Sequence, residues 1–248
     1  MIEAMIFDLD GTLVQTEKLK ALSYARAAVQ LCPDNISEEE VVEAFKDVVG
    51  KSRREVATAL VERFGLEQAA RRHMDEFGVK TAWQAYVQVR LCYYQELLGD
   101  ADMLRNNQWP HNRRLLEEAR RAGCKTALAT MSRCQQVNRI LDALGLHDAF
   151  DFVATRDDVE NGKPDPEIYL LAAQELGVSP ADCLVVEDTP AGVQAALNAG
   201  MQVVAVSTPF TRLRLHEASF LPGVEIVDDP ETLPAVVAQI MERHRNGE

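Results

Sequence analysis

Two carboxylates, Asp8 and Asp10, stand near the start of the chain, directly after the apolar run AMIF and before Gly11. Like charges so close in sequence repel each other unless a cation neutralises them or one of them holds a proton. Aspartate and glycine also end many strands in solvated turns, so an isolated pair of this kind more often has only a structural role. The pair gains a chemical meaning only where other reactive residues lie beside it.

Further polar side chains follow three later apolar runs that are typical of buried strands. Thr130 and Ser132 follow KTALA, Lys163 follows DFVA across a loop, and Glu187 and Asp188 follow CLVV. In open α/β sheets the ligand site lies outside the carboxyl ends of the strands, so we expect all of these side chains at one edge of one sheet. Each alone is explained as a helix cap or a solvated surface group, but their convergence predicts a functional site.

The chemistry of this set favours a divalent cation. Crowded carboxylates are unfavourable without a counter-charge, and hard oxygen ligands with few protein contacts suit Mg²⁺, which keeps waters and shares phosphate oxygens. The chain contains neither a G-x-x-x-x-G-K-[ST] nucleotide-binding loop nor a G-x-G-x-x-G dinucleotide signature. We therefore predict Mg²⁺ as the cofactor.

Apolar runs and helical patterns alternate along most of the chain. Strands are predicted at 4–7, 125–129, 151–154, 183–186, 202–206 and, more weakly, 224–227, with helices at 112–122, 135–144, 166–176, 190–199 and 230–243. Strand alternating with helix implies an α/β fold, with a doubly wound, mostly parallel sheet that is covered on both faces.

Residues 16–100 break this rhythm, because they contain helical patterns and no convincing strand. The patterns cover 17–31, 37–49, 53–64 and 79–98, and the last places Val79, Trp83, Val87, Leu91, Tyr94 and Leu98 at spacings of three to four. Ser37 and Glu40 match a capping box, and Gly65 is placed to end a helix. We predict one core domain at 1–15 and 101–248, with an inserted helical domain at 16–100.

The composition limits the partners and the compartment. The 26 Lys and Arg residues against 39 Asp and Glu residues give a net charge of -13, which repels nucleic acid backbones and anionic lipid. The five cysteines form no C-x-x-C pair, and no leader-like or membrane-spanning segment is evident. We expect a cytoplasmic protein without nucleic acid or membrane partners, as a monomer or homodimer.

Four segments resemble, in order and spacing, the four motifs of the haloacid dehalogenase superfamily of phosphotransferases. They are FDLDGTL (7–13), ALATMS (127–132), GKPDPEIY (162–169) and VVEDTPAGVQAALNAG (185–200). The insertion resembles the family's small α-helical cap, which closes over the site and sets substrate choice. The resemblance covers nearly the whole chain, lies within the β-phosphoglucomutase and phosphoglycolate phosphatase branch, and implies the family's Rossmann-like core.

The resemblance implies a catalytic role for each matching residue. Asp8 would be the nucleophile that forms an aspartyl-phosphate, and Asp10 the general acid and base. Thr130 would be a catalytic residue that hydrogen-bonds the transferring phosphoryl group, with Ser132 beside it in the substrate-binding segment. Lys163 would neutralise charge on the phosphoryl group and on Asp8.

The resemblance also implies a metal site. Asp8, the backbone carbonyl of Asp10 and Asp188 would hold Mg²⁺. Glu187 would be either a direct ligand or a residue that supports the ligands.

Two residues of the insertion are candidate substrate-binding residues. GKSRREV (50–56) resembles the G-x-S-R stretch of this branch, so Arg53 would reach a substrate phosphate, although a basic helix start facing water explains it equally well. Lys20 stands where the branch usually has histidine, and Gln15 where it usually has aspartate. Lys20 would bind an anionic group of the substrate or lie on the outer face of a helix. QWPHN (108–112) replaces a common Pro-Gly turn, and we expect it to alter only a loop.

The leading hypothesis is a Mg²⁺-dependent phosphatase, a phosphoric monoester hydrolase, acting on a small phosphorylated metabolite such as a sugar phosphate or phosphoglycolate. A β-phosphoglucomutase-like phosphohexomutase, which must exclude water, is the enzymatic alternative. A phospho-receiver is the non-enzymatic alternative, because receivers also combine an acidic cluster with a threonine and a lysine. Asp10 separates the two classes, since a carboxylate two residues after the nucleophile is placed to hydrolyse the acyl phosphate that a receiver must preserve.

Overall fold

The computed structural model describes residues 1–220 and 224–246. Its strands are β1 (Ala4–Phe7), β2 (Lys125–Ala129), β3 (Phe152–Ala154), β4 (Cys183–Glu187), β5 (Gln202–Val206) and β6 (Glu225–Val227). Its α-helices are α1 (Thr16–Leu31), α2 (Glu38–Lys46), α3 (Arg53–Arg63), α4 (Glu67–Arg71), α5 (Ala82–Gly99), α6 (Ala101–Asn106), α7 (Pro110–Arg121), α8 (Cys134–Leu144), α9 (Glu167–Leu176), α10 (Pro190–Asn198), α11 (Arg212–Glu217) and α12 (Leu233–Asn246). Within the described residues, none of these helices has the length and apolar character needed to span a membrane.

The strands form one parallel sheet in the order β3-β2-β1-β4-β5-β6. The register places Phe7 of β1 opposite Leu128 on one side and Val186 on the other. The strand order reverses at β1, so a crevice opens between the carboxyl ends of β1 and β4, which is where such sheets bind ligands. The predicted doubly wound, parallel α/β core is confirmed.

Side chains of β1 alternate between two apolar layers, as successive residues of a strand do. Ala4 and Ile6 belong to a buried cluster with residues of α9 and α10. Met5 lies with Leu115 of α7 and Val237 of α12 on the opposite face. The sheet is therefore covered on both faces, which explains why its strands read as continuous apolar runs rather than as alternating patterns.

The chain divides into two compact units, Met1–Gln15 with Leu104–Glu248 and Thr16–Met103. We refer to the first as the α/β unit and to the second as the helical unit. The first boundary coincides with the one expected after residue 15. The second falls within α6, three residues beyond the one expected after residue 100.

The helical unit packs α1 against α2 and α5 around aromatic side chains. The ring of Tyr24 on α1 lies 5.6 Å from the rings of both Phe45 and Tyr86, measured between centroids. The hydroxyl of Tyr86 donates to the backbone carbonyl oxygen of Tyr24 at 2.8 Å. Because Tyr86 is completely buried, this hydrogen bond satisfies the only polar atom of its side chain.

Local signals explain where several of these helices begin and end. The predicted capping box of Ser37 and Glu40 begins α2, and an equivalent pair, Ser52 and Glu55, begins α3. Gly65 adopts a positive φ of 63° just after α3. Helix α5 begins at residue 82 rather than at the predicted residue 79. The short helices α4, α6 and α11 were not predicted, because five or six residues give no measurable periodicity.

Candidate active site

Asp8 lies at the switch point of the sheet, one residue beyond the end of β1. Its backbone N–H donates to the carbonyl oxygen of Val186 at 3.0 Å, so the pairing with β4 continues to this residue. Asp188 stands one residue beyond the end of β4, and both aspartates are buried. Because adjacent parallel strands end at the same level here, the two carboxylates are brought to the same crevice.

Lys163 makes the central ion pairs of the site. Its Nζ donates to Oδ1 of Asp8 at 2.8 Å, to Oε1 of Glu187 at 2.7 Å and to the carbonyl oxygen of Ala129 at 3.0 Å. The side chain is only 6% exposed, and its Nζ lies 4.8 Å from the ring centroid of Tyr169. An ammonium group has three donors, so this arrangement uses all of them and fixes the amine.

The loop that carries Lys163 is tied to two helices. The carboxylate of Glu167, at the start of α9, accepts the backbone N–H groups of Glu160 and Asn161, each at 2.8 Å. The side-chain amide of Asn198, at the end of α10, donates to the carbonyl oxygen of Pro164 at 3.0 Å. These bonds hold the loop close to the carboxyl ends of the strands.

Two hydroxyl groups converge on Asp10. Oγ of Ser132 donates to Oδ2 of Asp10 at 2.6 Å, and Oγ1 of Thr130 donates to the same oxygen at 3.2 Å. The backbone N–H of Thr130 donates to the carbonyl oxygen of Ala154 at the end of β3, at 3.0 Å. The ends of β1 and β2 thus present one carboxylate and two hydroxyls together, at the edge predicted from the sequence.

The donor set at the ends of β1 and β4 fits Mg²⁺. A β-carbon at Gly11 would overlap the carboxylate of Asp188, so glycine is what allows that carboxylate to reach the turn after Asp8. No three side chains of His, Cys, Asp or Glu among the described residues are grouped so as to hold a metal by themselves. Two carboxylates and the Asp10 carbonyl suit Mg²⁺ nonetheless, because this ion keeps several waters and binds through one or two carboxylates.

Glu187 binds donors of the protein with both of its oxygens. Oε1 accepts from Lys163 and from the hydroxyl of Tyr169 at 3.3 Å. Oε2 accepts the backbone N–H groups of Asp188 and Thr189 at 2.7 and 2.8 Å, and the Thr189 hydroxyl at 3.1 Å. Of the two roles implied by the resemblance, this geometry favours support of the ligands over direct metal binding.

The electrostatics of the site leave negative charge to be neutralised. Burial raises the pKa of Asp8 to about 8, while the Lys163 ammonium opposes the rise and the charges of Glu187 and Asp10 add to it. Burial alone would lower the pKa of Lys163, but Asp8 and Glu187 hold that pKa well above its usual value. A cation at the crevice would favour the charged form of Asp8.

The two candidate residues of the insertion lie in the helical unit. Lys20 pairs with Glu17 at 2.6 Å along α1, and Arg53 is the exposed first residue of α3. Burial raises the pKa of Tyr24, and the charges of Arg90, Arg53 and Lys20 act in the opposite direction. The three cations are therefore near enough to one phenol to act on it electrostatically. Substrate binding by Lys20 and Arg53 remains a prediction.

Arg90 is a buried charge that the sequence pattern did not reveal. It is 5% exposed, and its guanidinium carbon lies 4.9 Å from the ring centroid of Tyr24 and 4.3 Å from that of Tyr94. Its Nε has no hydrogen-bond partner within the described part of the chain. The periodicity of α5 placed Leu91 on the buried face, but Leu91 is half-buried and Arg90 takes the inner position. Tyr94, one turn further along the helix, was the only local sign in the sequence that Arg90 could be buried against an aromatic ring.

Residues 2–200 match the family model of haloacid dehalogenase-like hydrolases. The chain belongs to this family. The resemblance stated from the four motifs is thereby confirmed, and so is the predicted enzyme class, a phosphoric monoester hydrolase. The roles of individual site residues in this haloacid dehalogenase-like hydrolase stay predictions. The geometry above supports those of Asp8, Asp10, Lys163 and Asp188.

Relatives of this haloacid dehalogenase-like hydrolase include a phosphorylated carbohydrates phosphatase of Thermotoga maritima, 30% identical over 201 residues, which are 81% of this chain and 83% of the relative. Among solved structures, β-phosphoglucomutase from Clostridium difficile is 27% identical, with a TM-score of 0.63 and coverage of 99% of this chain and 98% of the other. The CbbY protein of Rhodobacter sphaeroides, in complex with xylulose-(1,5)bisphosphate, is 25% identical, with a TM-score of 0.62 and coverage of 93% and 95%.

Proposed function

We propose that the chain is a Mg²⁺-dependent phosphatase that hydrolyses a small phosphorylated metabolite, of the sugar phosphate or phosphoglycolate type, through an aspartyl-phosphate. The observation that carries this proposal is the pair of Asp8, bound by Lys163 at the switch point, and Asp10, held by two hydroxyls beside it. A nucleophile and a proton donor two residues apart, at the end of one strand, are suited to a two-step hydrolysis.

In the first step, an oxygen of Asp8 attacks the phosphorus atom of the substrate. Lys163 binds Oδ1 of Asp8, so we assign the attack to Oδ2. The bond between phosphorus and the leaving oxygen breaks as the bond to Asp8 forms, and protonated Asp10 donates its proton to the leaving oxygen. Asp10 is thereby left as a carboxylate.

In the second step, water hydrolyses the aspartyl-phosphate. The carboxylate of Asp10 takes a proton from water as the water oxygen attacks phosphorus, and the bond from phosphorus to Asp8 breaks. Inorganic phosphate leaves and the Asp8 carboxylate is restored. The hydroxyls of Thr130 and Ser132 orient Asp10 while its protonation state changes.

The charge that develops on the phosphoryl group requires positive groups around it. Lys163 is fixed beside Asp8 for this purpose. Mg²⁺ would be held by Asp8, Asp188 and the Asp10 carbonyl, where it would neutralise phosphoryl oxygens and favour the ionised nucleophile.

The substrate class is supported by the named relatives and by the helical unit. The phosphatase of Thermotoga maritima is named for phosphorylated carbohydrates, and the CbbY structure contains a sugar bisphosphate. Lys20, Arg53 and Arg90 supply cations that suit an anionic group of the substrate. We propose that these three residues contribute to recognition of a phosphorylated sugar or a phosphorylated acid.

A panel of phosphorylated metabolites, assayed with Mg²⁺ and with a chelator, tests the proposal. We expect phosphate release that depends on Mg²⁺ from a small set of these esters. Asp8→Asn should reduce turnover to background, and Asp10→Asn should reduce kcat by roughly 10² to 10⁴-fold, the usual contribution of general acid–base catalysis. Asp34→Asn, at an exposed position of the helical unit, is the matched control and should resemble the parent.

The same experiment distinguishes the alternatives. Normal turnover by both active-site variants would exclude the proposed mechanism. Activity that requires a catalytic amount of a sugar bisphosphate and releases no phosphate would show a phosphohexomutase, which the similarity to β-phosphoglucomutase keeps as the second candidate. A long-lived phosphoprotein without turnover would show a receiver.

A further inference from the structure

A buried asparagine on α7 is bonded to the turn that follows the nucleophile. Asn112, the third residue of α7, is 5% exposed, and its Nδ2 donates to the carbonyl oxygen of Thr12 at 2.5 Å. Thr12 is completely buried. The expectation that QWPHN alters only a loop is therefore wrong, because Pro110 begins α7 and this segment contacts the turn that follows β1.

The turn of residues 9–14 determines where Asp10 stands. The carbonyl oxygen of Leu9 accepts the N–H groups of Leu13 and Val14 at 3.0 and 3.1 Å. The N–H of Gly11 donates to the carbonyl oxygen of Val14 at 2.7 Å, and Gly11 has a φ of +87°. The neighbours of Asp10 on both sides thus take part in one hydrogen-bonded turn.

The start of α7 satisfies two successive carbonyl groups of this turn. Asn112 binds the carbonyl of Thr12, and the backbone N–H of Trp109 donates to the carbonyl of Leu13 at 2.9 Å. A buried carbonyl without a donor is strongly unfavourable, so loss of the Asn112 amide would drive the turn to rearrange. Trp109 binds through its backbone, which leaves Asn112 as the side-chain contribution to this contact.

We propose that Asn112 is a positioning residue for Asp10. Its amide holds the turn in the conformation from which Asp10 reaches the hydroxyls of Thr130 and Ser132. The inference rests on the proposed function, in which Asp10 transfers protons. Asn112 acts through the turn, so its loss affects the chemical step and leaves substrate affinity almost unchanged.

Two variants, Asn112→Ala and Asn112→Asp, test this role. Asn112→Asp keeps the size of the side chain and replaces the donor by an acceptor, so it separates loss of the hydrogen bond from the cavity that alanine leaves. With p-nitrophenyl phosphate and Mg²⁺, we expect kcat to fall by about 10²-fold while KM changes by less than about threefold. Hydrogen exchange should accelerate at the amides of Leu13 and Val14 and stay unchanged along β4.

Asn138→Asp is the matched control, because Asn138 is exposed on α8. It should leave both kcat and exchange at Leu13 and Val14 as in the parent. Unaltered exchange at these amides in both Asn112 variants, or a loss of kcat/KM that lies in KM alone, overturns the proposal. If the parent hydrolyses no phosphate ester, the proposed function fails, and the exchange comparison alone decides whether Asn112 holds the turn.

Discussion

At the scale of single residues, the site destabilises the ionised form of Asp8, which is the form that its proposed chemistry requires. Attack on phosphorus needs the carboxylate, yet burial raises the pKa of Asp8 to about 8. Lys163 offsets part of this effect through the ion pair at 2.8 Å. The remainder is what a bound cation would supply, which agrees with the proposed Mg²⁺ site.

The raised pKa of Asp8 predicts how the free energy of unfolding of the metal-free protein depends on pH. The pKa of Asp8 is about 8 in the folded protein and 3.8 as the ordinary value, so the folded state holds this proton more tightly. The stabilisation that this bound proton gives the folded state is complete below the pKa of Asp8 in the unfolded chain. It is lost as pH rises towards the pKa of Asp8 in the folded protein. We therefore expect the free energy of unfolding of the parent, relative to Asp8→Asn, to fall steadily from about pH 4 to about pH 8.

Urea unfolding in a chelating buffer at several pH values measures this difference. Asp34→Asn serves as the control, because an exposed aspartate should give a difference that does not change with pH. Adding Mg²⁺ at the upper end of the range should stabilise the parent more than Asp8→Asn. A difference between parent and Asp8→Asn that is flat across this range would contradict the assignment of the raised pKa to Asp8.

At the scale of elements, helix α10 is packed directly against the carboxylate that supports Lys163. A β-carbon at Gly192, in the first turn of α10, would overlap the carboxylate of Glu187. Gly192 also donates its N–H to the N-cap Thr189. The helix therefore approaches the end of β4 only because this position lacks a side chain.

Gly192→Ala should accordingly damage both stability and activity. We expect a loss of about 1 to 3 kcal/mol in the free energy of unfolding, because the added methyl group forces Glu187 or the helix to move. Since Glu187 binds Lys163, kcat should fall as well. Gly99→Ala, at the end of α5 with open space around the position, is the control and should be neutral or slightly stabilising. Equal behaviour of the two variants in urea unfolding and in turnover would refute the close contact.

The sheet and its polar edge were predictable from the sequence because both follow from local patterns. Strands buried on two faces read as short apolar runs, and the side chains that follow them must meet at one edge. Asn112, Arg90 and Tyr169 were not predictable in the same way. Each is a polar group buried inside a helical pattern, and at least one of its partners lies on another element, as Thr12 does for Asn112. Periodicity records how often a face is apolar and does not show which polar residue shares it.

At the scale of the whole molecule, the negative net charge contrasts with a local group of cationic side chains in the helical unit. The chain has a net charge of -13, yet the charges of Arg90, Arg53 and Lys20 in the helical unit all act to lower the pKa of Tyr24. Burial lowers the pKa of Arg90, and a buried guanidinium stacked on tyrosine rings is a costly way to fill space. The proposed role of Arg90 in recognition of an anion would explain this charge better than a contribution to stability does.

Arg90→Met tests that view, since methionine fills a similar volume without charge. We expect the thermal unfolding temperature to stay the same or rise, because replacing a buried charge by an apolar side chain is often neutral or stabilising. KM for an anionic substrate should rise by about tenfold, the effect of losing roughly 1.4 kcal/mol of binding. Arg63→Met, which removes an exposed ion pair with Asp47, is the control for both measurements. A lower unfolding temperature with unchanged KM would assign Arg90 to the core instead.

The pairing of the segments on either side of the helical insertion has a consequence for how the chain tolerates insertions at this point. Val14 pairs with Gln108, and the N–H of Gln15 donates to the carbonyl oxygen of Asn107 at 2.8 Å, so the α/β unit ties together the two chain segments that flank residues 16–103. The two chain segments that lead into and out of the insertion therefore lie side by side within the α/β unit. We therefore expect insertions of different length at this point to be tolerated without disturbing β1, because the flanking segments are held together independently of what they connect.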